Sequence, residues 1–134
     1  LIMRFFEAVK NGLDEVVLWG SGNPRREFIF SEDVADASIF MLENANKLEN
    51  THYNVGTGVV TSIRELALMI ALETGFQGKI KWDRTKPDGR FTKLLDSSKI
   101  KQMSWSPVTS LDDGLRSTYE WYLKNLDKVR RDEM

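Results

Sequence analysis

Hydrophobic positions recur with helical spacing at the very start of the chain. Leu1, Ile2, Phe5, Phe6 and Val9 mark one face of a helix that reaches about Lys10 and stops at Asn11-Gly12. No capping residue precedes it, so the chain reads as starting inside a helix, as a truncated or proteolysed protein would. Val16-Val17-Leu18-Trp19 then forms a short apolar run, predicting a buried strand that enters the Gly20-Ser21-Gly22-Asn23-Pro24 turn. Glu27 to Phe30 predicts a second extended run. Ser31 is placed to cap a helix to about Ala45, with Glu32 and Asp33 complementing its dipole. Val34, Ala37, Ile39, Phe40, Met41 and Leu42 are expected mostly inward.

Residues 46 to 51 form a polar connection. Tyr53 and Val55 alternate into Gly56-Thr57-Gly58, predicting a strand that enters a glycine turn. Ser62 and Glu65 have the spacing of a capping box, ahead of a stripe of Ile63, Leu66, Ala67, Ile70 and Ala71 that Gly75 closes. Ile80 and Trp82 fall on one face of a short strand, and 83–90 predicts a loop around Lys86-Pro87-Asp88-Gly89. A short helix follows near 98–103. Ser110 to Asp113 caps a last helix that carries Leu115, Thr118, Tyr122 and Leu126. The alternation of helices with a few short strands predicts an α/β fold. Residues 1–127 make one domain, and 128–134 a charged, frayed tail.

Composition narrows the classes. At 134 residues the chain can bury one core, and its 19 basic against 20 acidic residues give no basic field for nucleic acid. Cysteine is absent and histidine occurs once, which excludes a disulfide framework, a thiolate site and a histidine-rich metal site. No run has the length of a membrane span, and there is no signal-peptide pattern. A soluble, cytoplasmic protein is the expectation.

Catalytic chemistry is missing. Gly20/Gly22 and Gly56/Gly58 each lack the third glycine of a dinucleotide fingerprint, and no tyrosine has a lysine four residues later. His52, at an expected strand start, reads as structural or solvent-facing. Binding chemistry is richer. Arg26 can present a bidentate fork to a phosphate; otherwise one of Arg25 and Arg26 is solvated and the other pairs with a carboxylate such as Glu27 or Asp33. Trp19 is either core or an aromatic wall beneath a flexible turn. Arg4 is either a snorkelling surface residue or a cation near a ligand. Asp88 suits turn hydrogen bonds with its own backbone, or a sugar hydroxyl. Lys93 leaves the same loop.

The motifs together resemble a known family. Trp19-Gly-Ser-Gly-x-Pro-x-Arg-Glu-Phe28, Asp33-Val-Ala-x-Ala37, Tyr53-Asn-Val-Gly-Thr-Gly58 and Ile63-Arg-Glu-Leu-Ala67 resemble the C-terminal part of extended short-chain dehydrogenases/reductases. Lys86-Pro-Asp-Gly89, Lys93-Leu-Leu-Asp96 and Gly114 to Tyr122 narrow the likeness to the group that forms GDP-L-fucose from GDP-4-keto-6-deoxy-D-mannose. The resemblance implies a small substrate-binding domain without its Rossmann domain. Arg4, Trp19, Arg26, Asp88 and Lys93 match substrate-contacting positions for a GDP-sugar. NADP and the catalytic residues would belong to the absent domain, leaving this chain inactive alone, and the whole enzyme would be a homodimer. A different nucleotide-linked 4-keto sugar, or a non-catalytic nucleotide-sugar binding module, are the competing readings.

Overall fold

A computed structural model describes residues 1–129. Most of the expected charged tail, 130–134, lies outside the described residues. Among the described residues five α-helices, a short 3-10 turn at Ala45–Lys47 and five short strands form a mixed α/β fold, with the strands in two small sheets.

The first sheet pairs β1 (Glu15–Trp19) in parallel with β4 (Lys79–Asp83), with Val16 opposite Ile80 and Leu18 opposite Trp82. Its strands are one-sided rather than fully buried. Val16 and Leu18 point inward, while Glu15, Val17 and Trp19 face out, as strand alternation dictates. Onto the inward side pack α1 (Ile2–Lys10), through Phe5 and Ala8, and α3 (Ile63–Thr74), through Leu66, Ala67, Ile70 and Ala71. Phe5 also meets Phe76 edge-on at 5.5 Å. Helix α3 starts at the expected capping box. The Ser62 hydroxyl accepts the Glu65 N–H (3.1 Å), and the Glu65 carboxylate accepts the Ser62 N–H (2.7 Å). Gly75 closes the helix in the left-handed conformation. Helix α5 (Leu111–Lys124), capped by Ser110, adds Leu115 to this core and lays Tyr122 against Phe6.

The second sheet places β2 (Arg25–Glu27) between antiparallel β3 (Val60–Ser62) and parallel β5 (Thr92–Lys93). The expected strand at Glu27–Phe30 is therefore displaced toward the arginines. Phe28 leaves the ladder to pack on the first core and Ile29 on the second, so that run bridges two cores instead of extending a sheet. Phe30 occupies the cap position of α2 (Ser31–Glu43), and Ser31 is its first helical residue, without a side-chain cap bond. In α2 only Asp33 and Ala37 are buried, with Phe40 and Met41 half-buried. Val34, Ile39 and Leu42 are exposed, Leu42 by 77%. One narrow stripe of the helix reaches the second core, and the remaining apolar side chains turn away from it. That core joins Ala37 to Ile100 of α4 (Ser98–Gln102) and to Trp105.

Tyr53 to Val55 forms no strand. Tyr53 and Val55 pack on the second core, while the intervening Asn54 donates its side-chain amide to the Asp96 carbonyl (3.0 Å). Among the described residues no helix is long and apolar enough to cross a membrane, and no acidic, His or Cys cluster could hold a metal.

Candidate functional site

Trp19 ends β1 on its outward side and is 65% exposed, so it is not core. The guanidinium of Arg4, from α1, lies 5.8 Å from its ring centroid and donates to the Val17 carbonyl (3.2 Å). The ammonium of Lys86 lies 5.6 Å from the same ring. An aromatic with two cations at its side results, a geometry that places positive charge beside a flat apolar surface.

After Trp19 the chain turns through Gly20 and Gly22, both with φ near +80° (79° and 76°), where a side chain would be strained. A Cβ on Gly20 would also collide with the Asp88 carboxylate. That carboxylate clasps the turn. Its Oδ1 accepts the Ser21 N–H (2.8 Å) and its Oδ2 the Ser21 hydroxyl (2.6 Å). The Ser21 hydroxyl, then the Ser21 N–H, hold the Asp88 carboxyl below its ordinary value. Asp88 thus serves a turn across the fold rather than its own backbone. A carboxylate has about four lone-pair sites, so the exposed group retains capacity for a further donor. Arg64 secures the turn from below, donating to the Ser21 carbonyl (2.6 Å) with its guanidinium 4.9 Å from the Trp82 ring.

Arg26 and Lys93 face each other in register across β2 and β5. Arg26 donates from Nη1 to the Arg25 carbonyl (2.7 Å), and its Nη2 lies 3.1 Å from where a Cβ on Gly89 would sit. Arg26 forms no ion pair with Glu27 or Asp33, and both carboxylates are directed instead at backbone N–H groups. Asp33, 5% exposed, accepts those of Val108 (3.3 Å) and Thr109 (3.2 Å). Glu27 accepts those of Gly58 (2.6 Å) and Leu95 (3.1 Å). Arg25 is not simply solvated either, since it donates to the Val60 carbonyl (3.1 Å). Ion pairs among the described residues are Lys81–Glu15, Lys99–Glu49 and Arg116–Asp113, none of which involves Arg4, Arg26, Lys86 or Lys93.

The loop carrying Lys86, Asp88 and Gly89 therefore touches Trp19, Ser21 and Arg26 in turn. It joins Arg4 and Trp19 at one end to Arg26 and Lys93 at the other. Lys86, Arg64 and Glu27 take part without having been singled out as site residues in the sequence. Their partners lie on distant segments, and nothing local marks them. A cavity of about 480 Å³ opens elsewhere, between the start of α1, Phe28–Phe30 and α5. Its lining is mostly apolar, with Ser110, Thr118 and Tyr122 as polar members, and includes none of Arg4, Arg26, Lys86 or Lys93.

A family model described as the NAD dependent epimerase/dehydratase family matches residues 1–56. The chain is 52% identical to GDP-L-fucose synthase 1 of Arabidopsis thaliana over 126 residues, covering 94% of this chain and 38% of that protein. It is 47% identical to the GDP-L-fucose synthase of Escherichia coli (strain K12) over 137 residues, covering 97% and 43%. Among solved structures, a GDP-mannoheptose C4 reductase from Campylobacter jejuni with NADP bound matches with a TM-score of 0.78 at 33% identity, covering 91% of this chain and 43% of that one. A GDP-L-fucose synthetase from Naegleria fowleri bound to NADP has a TM-score of 0.87 at 23% identity, covering 97% and 40%, a likeness of fold alone. The chain spans about two fifths of the length of the curated relatives it matches. It is a relative of the GDP-L-fucose synthases and corresponds to their C-terminal part.

Proposed function

We propose that this relative of the GDP-L-fucose synthases is the substrate-binding portion, residues 1–127, of an NADPH-dependent epimerase–reductase. The reaction is the conversion of GDP-4-keto-6-deoxy-D-mannose to GDP-L-fucose, in an enzyme that is homodimeric as a whole. The observation that carries the reading is the register of Arg26 beside Lys93, with neither cation ion-paired among the described residues, joined through the 86–89 loop to exposed Trp19. Arg26 offers a planar fork and Lys93 a point charge to the diphosphate. Trp19 supplies a flat apolar wall, Arg4 adds positive charge near the nucleotide, and Asp88 accepts a hydroxyl hydrogen bond with its remaining lone pairs.

The residues present do not fit a dinucleotide site. Gly20-Ser21-Gly22 leads from β1 into β2 and not into a helix N-terminus. At Gly56–Gly58 the space a phosphate would need is filled by the Glu27 carboxylate, whose Oε1 lies 2.6 Å from a Cβ built on Gly56. NADP and the reacting acid, base and hydride-transfer groups are assigned to the rest of the enzyme. These 134 residues alone are expected not to oxidise NADPH with any GDP-sugar.

Calorimetry with GDP, UDP and GDP-L-fucose tests the reading, and a preference for UDP contradicts it. Arg26→Ala should weaken GDP binding by about 1.5–3 kcal/mol, the scale of a charged hydrogen bond, or about ten- to a hundredfold. Unchanged affinity in a folded variant removes the phosphate role. The 33% identity to a GDP-mannoheptose C4 reductase favours a second reading, in which GDP is shared and the sugar is a different 4-keto sugar. Turnover of the two sugar classes by the whole enzyme separates them.

A further inference from the structure

Glu27 sits directly after Arg26, yet among the described residues its carboxylate forms no ion pair and collects N–H groups from two distant loops. Its Oε1 accepts the Gly58 N–H at 2.6 Å and lies 3.4 Å from the Thr57 hydroxyl, while Oε2 accepts the Leu95 N–H at 3.1 Å. The second contact has a geometric meaning. In the parallel β2–β5 pair, Arg25 N–H bonds the Phe91 carbonyl and Arg26 stands in register with Lys93. A parallel ladder spaces its bonds evenly, and the next free donor along β5 is the Leu95 N–H. The Glu27 side chain takes that donor and so continues the pairing one step beyond where the strands end. β5 is only Thr92–Lys93, and both its residues are exposed. Two ladder residues without buried side chains give little resistance to fraying.

We propose that Glu27 is a positioning residue for the phosphate end of the cleft, locking Lys93 beside Arg26 by holding the chain on both sides of β5's partner strand. The inference rests on the reading of Arg26 and Lys93 as diphosphate ligands. Gly56 belongs to the same arrangement. Its missing side chain leaves room for the carboxylate, with Oε1, Cδ and Oε2 all within 2.8 Å of a built Cβ. Glu27 contacts no ligand in this scheme. It acts through Lys93.

The test uses Glu27→Gln in the whole enzyme, which keeps the shape and one acceptor oxygen but presents an NH2 to one of the two N–H groups. GDP affinity should fall about tenfold, while affinity for guanosine, which lacks phosphate, stays unchanged. Amide hydrogen exchange at Leu95 or Gly58 should accelerate. In a Lys93→Ala background, Glu27→Gln should add little to the loss. Equal losses for GDP and guanosine, or full additivity with Lys93→Ala, overturn the proposal, because both signify general destabilisation. If Glu27→Gln does not fold, Glu27→Asp is measured instead; it keeps both acceptors, draws them back by one methylene, and must show the same split between GDP and guanosine. A wild-type enzyme that fails to bind GDP removes the functional reading and this inference together. Weakening by Arg26→Ala with no effect of Glu27→Gln removes the positioning role alone.

Discussion

Gly22→Ala probes the turn on which the whole cleft depends. Gly22 has φ +76°, and a Cβ there would lie 2.6, 2.7 and 2.8 Å from three carbons of the Trp82 indole. Carbon atoms pack best at about 3.5–4.0 Å, so the indole has to retreat by roughly 1 Å. The left-handed backbone costs an alanine about 1–2 kcal/mol. Reduced freedom of the unfolded chain returns about 0.4–1 kcal/mol. Overpacking against a rigid ring adds about 1–3 kcal/mol. The total is about 1–5 kcal/mol of destabilisation, on the order of a 10 °C fall in Tm at its centre for a domain of this size. Gly75 is the internal control, because it has φ +73° and nothing within 4 Å of a built Cβ. Gly75→Ala should therefore show the backbone part alone, about 1 kcal/mol. Urea unfolding of both variants, at matched slopes, gives the difference. Equal destabilisation of the two variants would refute the role given to Trp82. The functional consequence follows by contact. Trp82 carries Arg64, and Arg64 holds the Ser21 carbonyl, so a displaced indole loosens the same turn that Asp88 clasps.

The clasp has a pH signature. The Asp88 carboxyl is depressed below its ordinary 3.8, so its contribution is complete above that value and is lost as pH falls below it, through the lowered folded value. Fluorescence of Trp19, separated from the other tryptophans by a Trp19→Phe reference, should stay flat from neutrality to about pH 4 and change only below that. Asp88→Asn should abolish the transition, and a midpoint near pH 6 in the wild type would contradict the assignment. Asp33→Asn leaves one of the two N–H groups that the buried carboxylate accepts, Val108 or Thr109, facing an amide donor. It should destabilise by about 1–3 kcal/mol in urea unfolding without altering affinity for GDP. A loss of GDP affinity in proportion would show that the Asp33 anchor reaches the cleft.

Helices α1, α3 and α5 were legible because their determinants are local. Apolar residues recur every three or four positions, Ser62 and Ser110 cap within three residues, and Gly75 closes in the left-handed region. Apolar content misled in α2, where Val34, Ile39 and Leu42 are helix-compatible but find no partner. Strands β1 and β4 were legible from their apolar positions, but the second sheet was not. β2, β3 and β5 are short, with no fully buried residue, and they form by pairing across intervals no local window spans. The site divides in the same way. Trp19, Arg26, Asp88 and Lys93 were recognisable as residue types suited to a nucleotide sugar. The bonds that arrange them, Asp88 to Ser21 over 67 positions and Glu27 to Leu95 over 68, have no local signal.

Those long-range bonds decide what the cleft can do. A carboxylate beside an arginine would ordinarily pair with it, and a paired arginine offers a ligand little. Here the nearby carboxylates are directed at N–H and O–H donors of the turns, Asp88 at Ser21 and Glu27 at Gly58 and Leu95. Among the described residues Arg4, Arg26, Lys86 and Lys93 form no ion pairs, in a chain whose net charge is −1. Because acidic groups remain within the same cleft, its long-range field is modest, and steering over a Debye length contributes little. On the proposed reading, selectivity for the diphosphate comes from short-range geometry, from a guanidinium fork held in register with a lysine. The turns that hold the carboxylates then belong to the proposed binding surface as much as the cations do.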